Sequence, residues 1–194
     1  MPELALPFIL ASASPRRLQL LAQLGITPSQ VVPADTDETT RKNELPAIYA
    51  QRVAAEKAAF VAAQNPGAVV LAADTVVACG RRILPKAEDE KSARACLKLL
   101  SGRRHRVYTA VCVMSPKGTR QKLVMTQVQF RKLRPAQVEQ YIASREWHGK
   151  AGGYAIQGLA SGFIPRINGS YSNVVGLPLA EVLLMLEAAG ATSW

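Results

Sequence analysis

Residues 69–73, Val-Val-Leu-Ala-Ala, carry no polar side chain, and the next residue is Asp74. A carboxylate that closes an apolar strand stands where α/β proteins hold their ligands, and it can serve there as a general base or a metal ligand. The plainer reading is a turn or capping aspartate, but Thr75, Val76 and Val77 continue extended and no helix follows for Asp74 to cap. A second signal lies in Ser12-Ala13-Ser14-Pro15-Arg16-Arg17. Both arginines fall in the first turn of a predicted helix, where the macrodipole is already positive and each uncompensated cation costs a few tenths to about 1 kcal/mol. A bound anion removes that cost, because helix N-termini offer unpaired N–H groups to phosphates and arginine grips phosphate oxygens in pairs. A solvated arginine pair is the bland alternative, and this stretch alone does not separate the two.

Lys57, in "RVAAEKAA", and Lys86, after "RRILP", read singly as surface lysines. Together with Arg16 and Arg17 they supply cations from separate segments, as a triphosphate site requires. Asp37 and Glu38 form an acidic pair that could add a divalent ion, although such a pair in a polar loop is also simply solvated. The remaining catalytic menu is thin. There is no G-x-x-x-x-G-K-[ST] or H-E-x-x-H motif, and "GGYAIQG" is not a dinucleotide fingerprint. His105 sits in a basic run and His148 follows Trp147, neither in the context of a serine or cysteine nucleophile. What remains is attack by an activated water.

These side chains need elements to position them. Residues 7–11 read as a strand. A helix follows, with Ser14 as N-cap, Pro15 in its first turn, Gly25 as its stop and an apolar face of Leu18, Leu21 and Leu24 beside Leu20. Residues 46–64 form a long helix, with Ile48, Val53 and Phe60 among many alanines, stopped by Asn65-Pro66-Gly67. Residues 68–74 are a strand buried on both faces, and 87–100 another helix. Residues 106–114 and 123–133 are hairpin strands joined by "SPKGTRQK". The second alternates Val124, Thr126, Val128 and Phe130 with Met125, Gln127, Gln129 and Arg131. A helix at 135–145, a glycine-rich loop with short strand pieces at 149–163 and a last helix opened by Pro178 complete the chain. Strand and helix alternate early and a hairpin intervenes, which predicts a mixed-sheet α/β protein.

The 194 residues suffice for one sizeable domain or two lobes sharing a cleft. With 48% hydrophobic and 20% charged residues the chain is globular, not disordered. "MPELALPF" has no basic n-region, and no apolar run approaches the roughly 20 residues of a membrane span, so neither a signal peptide nor a membrane partner is expected. Cys79, Cys96 and Cys112 are widely spaced, as reduced core thiols of a cytoplasmic protein would be. The net charge of +10 points to a polyanion or a phosphorylated substrate. Aromatics do not interleave with the basic clusters, which weakens a nucleic-acid reading.

"LASASPRR", "RVAAEKA", "AADTVV", "LSGRRHRVYTAV" and "KAGGYAIQGLASGFIPRINGSYSNVVGLPL" resemble, in order and spacing, the Maf (septum-formation) family of nucleoside triphosphate pyrophosphatases. The resemblance spans residues 7–187. It implies a cytoplasmic house-cleaning hydrolase that cleaves nucleotides between the α- and β-phosphates, a divalent metal (Mg²⁺ or Mn²⁺) and often a homodimer. The implied fold is of the Maf/ITPase type: a single Maf-like α/β domain, its mixed central sheet flanked by helices, with two lobes around a cleft. Position by position, it makes Asp74 the catalytic carboxylate and Ser12, Arg16, Arg17, Lys57 and Lys86 the phosphate-handling groups. Glu38, with Asp74, would hold the metal. Arg16, Thr75 and Gln157 match positions that distinguish the dTTP/UTP-cleaving branch from the one preferring 7-methyl-GTP. The family's "LGKP" is "LPKA" here, and its "DKAGAYGIQG" is "GKAGGYAIQG", with Gly149 and Ala155 changed. These departures leave 7-methyl-GTP and broad-specificity pyrophosphatases as alternatives. A non-catalytic nucleic-acid-binding regulator of cell division is the rival from another class.

Overall fold

The structure is a computed structural model that describes residues 6–192. Phe8–Ala11 forms β1, Pro15–Gln23 forms α1, Gln30–Val31 forms β2 and Pro46–Gln64 forms α2. The 11-residue β3, Val69–Cys79, is followed by β4 (Arg82–Leu84), β5 (Lys86–Ala87) and α3 (Glu90–Leu100). The hairpin strands β6 (Arg104–Ser115) and β7 (Gly118–Gln129) lead to α4 (Pro135–Ala143) and β8 (Lys150–Ala151). A 3₁₀ turn (Leu159–Phe163), β9 (Arg166–Asn168), α5 (Tyr171–Val175) and α6 (Leu179–Ala189) follow. The main sheet has the order β2-β1-β3-β6-β7-β9, with β4 on β3, while β5 and β8 form a sheet of their own. Pairing is parallel for β1 with β2 and β3, and antiparallel for β3 with β4 and β7 with β9, so the sheet is mixed as expected.

The chain divides into two compact units. The first takes the residues through Asp74, then Thr109–Val124, then those from Gly176 onward; the second takes Thr75–Tyr108 and Met125–Val175. In the first, all four residues of β1 are buried, and Leu71 and Ala72 of β3 lie fully inside. α2 packs on β1 through Val53, Ala54, Ala58 and Val61, all fully buried, while Ile48 and Phe60 face outward. Most of the buried face consists of small side chains, with Tyr49 and Lys57 as the large ones. The face of α1 is also rotated from the expected one. Its buried residues are Arg17, Leu20 and Leu21, and Leu18 is exposed, because an arginine with buried polar partners takes the inward position.

In the second unit the predicted alternation holds: Thr126, Val128 and Phe130 are buried, and Met125 is exposed. Phe130, His105 and Tyr154 meet edge to face, with centroids 5.0–5.4 Å apart. α3 contributes Ala93, Cys96, Leu97 and Leu100 to this core and packs against α4 and β5. Asp89 caps α3 reciprocally with Ser92. Two elements are longer than expected. Most of "SPKGTRQK" is strand, since its residues are polar because they are exposed and not because they turn. β3 runs on past Asp74 to Cys79, because Val77–Cys79 find partners in β4.

Candidate active site

The site of the first unit grows from the carboxyl end of β1. Parallel pairing of β1 with β3 ends at Ala11 and Ala72, and Asp74 lies just beyond, within the strand and 5% exposed. Ser12 follows β1 immediately. Its Oγ accepts hydrogen bonds from Ser14 N (3.2 Å) and from Arg17 Nη1 (2.9 Å). Ser14 holds the N-cap position, but its side chain caps nothing, and Pro15 fills the first turn, where a missing N–H costs least.

The arginine pair has two different fates. Arg17 is buried, donating from Nε to Gly176 O (2.9 Å) as well as to Ser12. Burial pulls its pKa below the ordinary arginine value, and Asp74 and Glu38 oppose that pull. Guanidinium remains charged under such shifts. Arg16 is half-buried, with a pKa lowered by burial. Among the described residues no ion pair is formed by Arg16.

Lys57 occupies the inner face of α2, 7% exposed. Its Nζ donates to Asp74 Oδ1 at 2.9 Å and lies 2.7 Å from Glu38 Oε1, so one ammonium joins two carboxylates from two segments. Glu38 is carried by a loop that α2 itself secures. Tyr49 Oη donates to Glu38 O (2.8 Å), and Arg52 donates to Thr39 O (3.1 Å) and to both carboxylate oxygens of Glu44 (2.7 and 2.9 Å). Arg52 also lies over the Tyr49 ring. Burial and the carboxylates of Asp74 and Glu38 raise the Tyr49 pKa, which keeps its O–H as a donor. Sequence reading missed Tyr49, Arg52 and Glu44. Only Arg52–Glu56, four apart on α2, had a local signal. The acidic pair divides as the arginines do: Glu38 turns to Lys57, while Asp37 is exposed and accepts from Thr39 N (2.8 Å), and hydrogen bonding by the Thr39 side chain, then by its backbone, lowers its pKa.

The other candidates lie in the second unit. Thr75 follows Asp74 on β3 and is half-buried. Lys86 is exposed on β5, opposite Ala151 of β8, and Gln157 is exposed on the turn after β8. His148 is on the surface, 3.7 Å from Glu88. Cys96 and Cys112 are buried free thiols, and burial pushes Cys112 up to about 11, so it is no nucleophile at neutral pH. Among the described residues no group of three His, Cys, Asp or Glu side chains could cage a metal. Glu38 and Asp74 are nevertheless a fitting pair of hard oxygen donors for a cation that takes its other ligands from phosphate and water.

Two outcomes follow. Arg17→Ala strands the buried Ser12 and Gly176 acceptors and leaves a carboxylate pair short of one cation. It is expected to cost about 2–4 kcal/mol in thermal or urea unfolding, against a near-zero change for Arg16→Ala. Equal, small effects would show that Arg17 has no structural part. The Glu44 carboxyl is held at about 2, below the ordinary 4.5, chiefly by Arg52. A depressed acid stabilises above its unfolded pKa and loses that contribution as pH falls through the folded one. The melting-temperature advantage of the native protein over Glu44→Gln should therefore be constant above pH 5 and shrink steadily from about 4.5 toward 2. An advantage that persists unchanged at the acid end would contradict the assignment.

The Maf-like protein family model matches residues 7–189. A dTTP/UTP pyrophosphatase of Novosphingobium aromaticivorans is 58% identical over 183 residues, covering 94% of this chain and 91% of that protein. A dTTP/UTP pyrophosphatase of Gluconobacter oxydans is 60% identical over 185 residues, covering 92% of this chain and 85% of that one. Among solved structures, a HAM1 protein from Coxiella burnetii shares the fold, with a TM-score of 0.50 at 14% identity over 95% of this chain and 100% of that one. With a family match along nearly its whole length and relatives more than half identical, the chain belongs to the Maf family.

Proposed function

We propose that this chain is a nucleoside triphosphate pyrophosphatase that hydrolyses dTTP and UTP to the monophosphate and pyrophosphate, a house-cleaning activity on cytoplasmic nucleotide pools. The observation that carries the reading is the buried ammonium of Lys57 between Asp74 and Glu38, with Arg17 and Ser12 alongside. The high identity to relatives named dTTP/UTP pyrophosphatase supports it.

The residues divide the work. Arg16, Arg17 and Lys57 outnumber the carboxylates Glu38 and Asp74, so a triphosphate meets a net positive site. Arg16, half-exposed, is free to take phosphate oxygens in pairs, and the Ser12 hydroxyl retains its own proton to donate. Lys57 occupies Asp74 Oδ1, which leaves the second carboxylate oxygen to orient a water and accept its proton as it attacks the α-phosphorus. Glu38 and Asp74 are the residues that would hold a divalent cation, Mg²⁺ or Mn²⁺; when bound, it lowers the pKa of coordinated water and neutralises phosphate charge. Lys86 supplies a further cation for the phosphates. Arg16, Thr75 and Gln157 set base preference, since a hydroxyl and an amide can pair with the oxygens and N3–H of a uracil or thymine edge. Cytosine presents an amino group and no N3 proton at that edge, and leaves one such group unpaired.

Pyrophosphate release from UTP, dTTP, CTP, ATP and 7-methyl-GTP under one metal tests the reading. UTP and dTTP should exceed CTP in kcat/KM by roughly ten-fold or more. A preference for 7-methyl-GTP would move the protein to the other branch, and no turnover of any of them would leave only a polyanion binder. Asp74→Asn should fold and lose turnover by about 10²-fold or more, because an amide cannot accept the proton. A near-native kcat in that variant would remove Asp74 from the chemistry.

A further inference from the structure

His105 is buried, 2% exposed, and the chemistry above gives it nothing to do. Its Nε2 lies 2.8 Å from Tyr154 Oη. Its Nδ1 has no hydrogen-bond partner among the described residues. An apolar side chain of similar size would remove the unpaired Nδ1 but strand the buried Tyr154 hydroxyl, so imidazole and hydroxyl are kept as a pair at the cost of one unpaired nitrogen. Burial pulls its pKa down to about 4, so the ring is neutral and its bond to Tyr154 does not titrate near neutral pH.

Tyr154 belongs to the loop that carries Gln157, and that loop is clamped residue by residue. Gly152 N donates to Pro85 O (3.0 Å), beside the short ladder that pairs Lys86 with Ala151. Gly152 and Gly153 have φ of +68° and +67°, and a Cβ on Gly152 would meet Val77 Cγ1 at 2.8 Å. Tyr154 then turns into the core against Phe130 and His105. Ala155 N donates to Tyr141 Oη (3.0 Å), Ile156 is buried, and Leu159 N donates to Glu146 Oε2 (2.8 Å). Gln157, between these anchors, is exposed. A turn so fixed aims one amide outward from a rigid base, and Tyr154 is its deepest anchor.

We propose that His105 is a positioning residue for nucleobase discrimination: through its bond to Tyr154 it holds the 152–158 turn, and with it the Gln157 amide, in the place from which the base is read. This rests on Gln157 reading the base, as proposed above. Hydrogen-bond discrimination depends on placement of well under an ångström, so a loosened anchor affects selectivity before it affects the phosphate chemistry of the first unit.

The test compares kcat and KM for UTP and CTP, with Mg²⁺, in the native protein and in Tyr154→Phe, His105→Leu, His105→Gln and Gln157→Ala. Tyr154→Phe keeps the ring and its packing and removes only the hydroxyl, so it carries the test if His105→Leu fails to fold. Expected is a fall of the UTP:CTP ratio to within about three-fold of unity in Tyr154→Phe and His105→Leu, through KM for UTP, with kcat for UTP held within about two-fold. His105→Gln, which can still hydrogen-bond Tyr154, should recover part of the ratio. Amide exchange at residues 153–159 should quicken in Tyr154→Phe and stay native-like in β1. A melting temperature that drops while the ratio stays native would make the pair merely structural and overturn the proposal. If Gln157→Ala keeps the native ratio, or the native protein shows no preference, the base-reading role of Gln157 fails and takes the proposal with it. If Gln157→Ala abolishes the ratio and Tyr154→Phe does not, the positioning role alone fails.

Discussion

One buried ammonium organises the first unit. An isolated charge taken out of water is expensive, and a lysine in the apolar interior stays charged only if its partners are close and well directed. Lys57 meets that condition with Glu38 at 2.7 Å and Asp74 at 2.9 Å. Three successive segments must therefore arrive at one point: the middle of α2, the polar loop before it and the interior of β3. The surrounding sequence serves that convergence. Ala54 and Ala58 are buried with Lys57 on α2, while Tyr49 and Arg52 hold the loop that brings Glu38. Remove one carboxylate and the other retains a partner; remove the lysine and both carboxylates are left to the Arg17 guanidinium, which already acts on each of them. The asymmetry makes the lysine the member on which the arrangement depends.

Much of the fold was legible because local signals and tertiary demands agree. α2 begins at Pro46 and ends before Asn65-Pro66-Gly67 because both ends carry punctuation that no packing overrides. β7 alternates because one face of it is covered and the other is not. Where structure and sequence pattern part, the cause is common: hydrophobicity is an imperfect proxy for burial. Leu18, Ile48 and Phe60 point outward, and Arg17 and Lys57 point inward, because the interior here is partly polar and small side chains line it. The stretch from Gly118 to Lys122 looked like a connector because its side chains are polar, yet its backbone is paired as a strand.

The site was legible to a different depth. Asp74 could be singled out on physical grounds, as a carboxylate ending an apolar run, and the two arginines as cations in an unfavourable place. Nothing local separates Arg16 from Arg17, or Asp37 from Glu38. The difference in each pair is made by residues remote in sequence, Gly176 for Arg17 and Lys57 for Glu38. Arg52 was invisible for the same reason: its bonds to Thr39 and Glu44 bridge from helix to loop, a spacing without a periodic signature. Roles for Lys57, Lys86 and Gln157 came from family resemblance, since a lone lysine or glutamine carries no signal by type.

The boundary between the two units passes through β3 between Asp74 and Thr75. Successive side chains on a strand point to opposite faces, so these neighbours cannot share one environment even though their backbones are bonded. Asp74 faces Lys57, in a neighbourhood of opposed charges whose members depend on one another. Thr75 opens a unit that holds an aromatic cluster around the buried His105 ring, with Gln157 exposed on a clamped turn. Charge clusters respond to the loss of any member by rearranging, because an unpaired buried charge is intolerable. A packed aromatic cluster responds by small displacement, because its interactions are short-ranged and add up contact by contact. Loss of a buried cation of this cluster, Lys57 or Arg17, should thus act on turnover and stability together. Changes around Tyr154 fall in an aromatic cluster of the second unit, where a lost contact is met by small displacement of its neighbours.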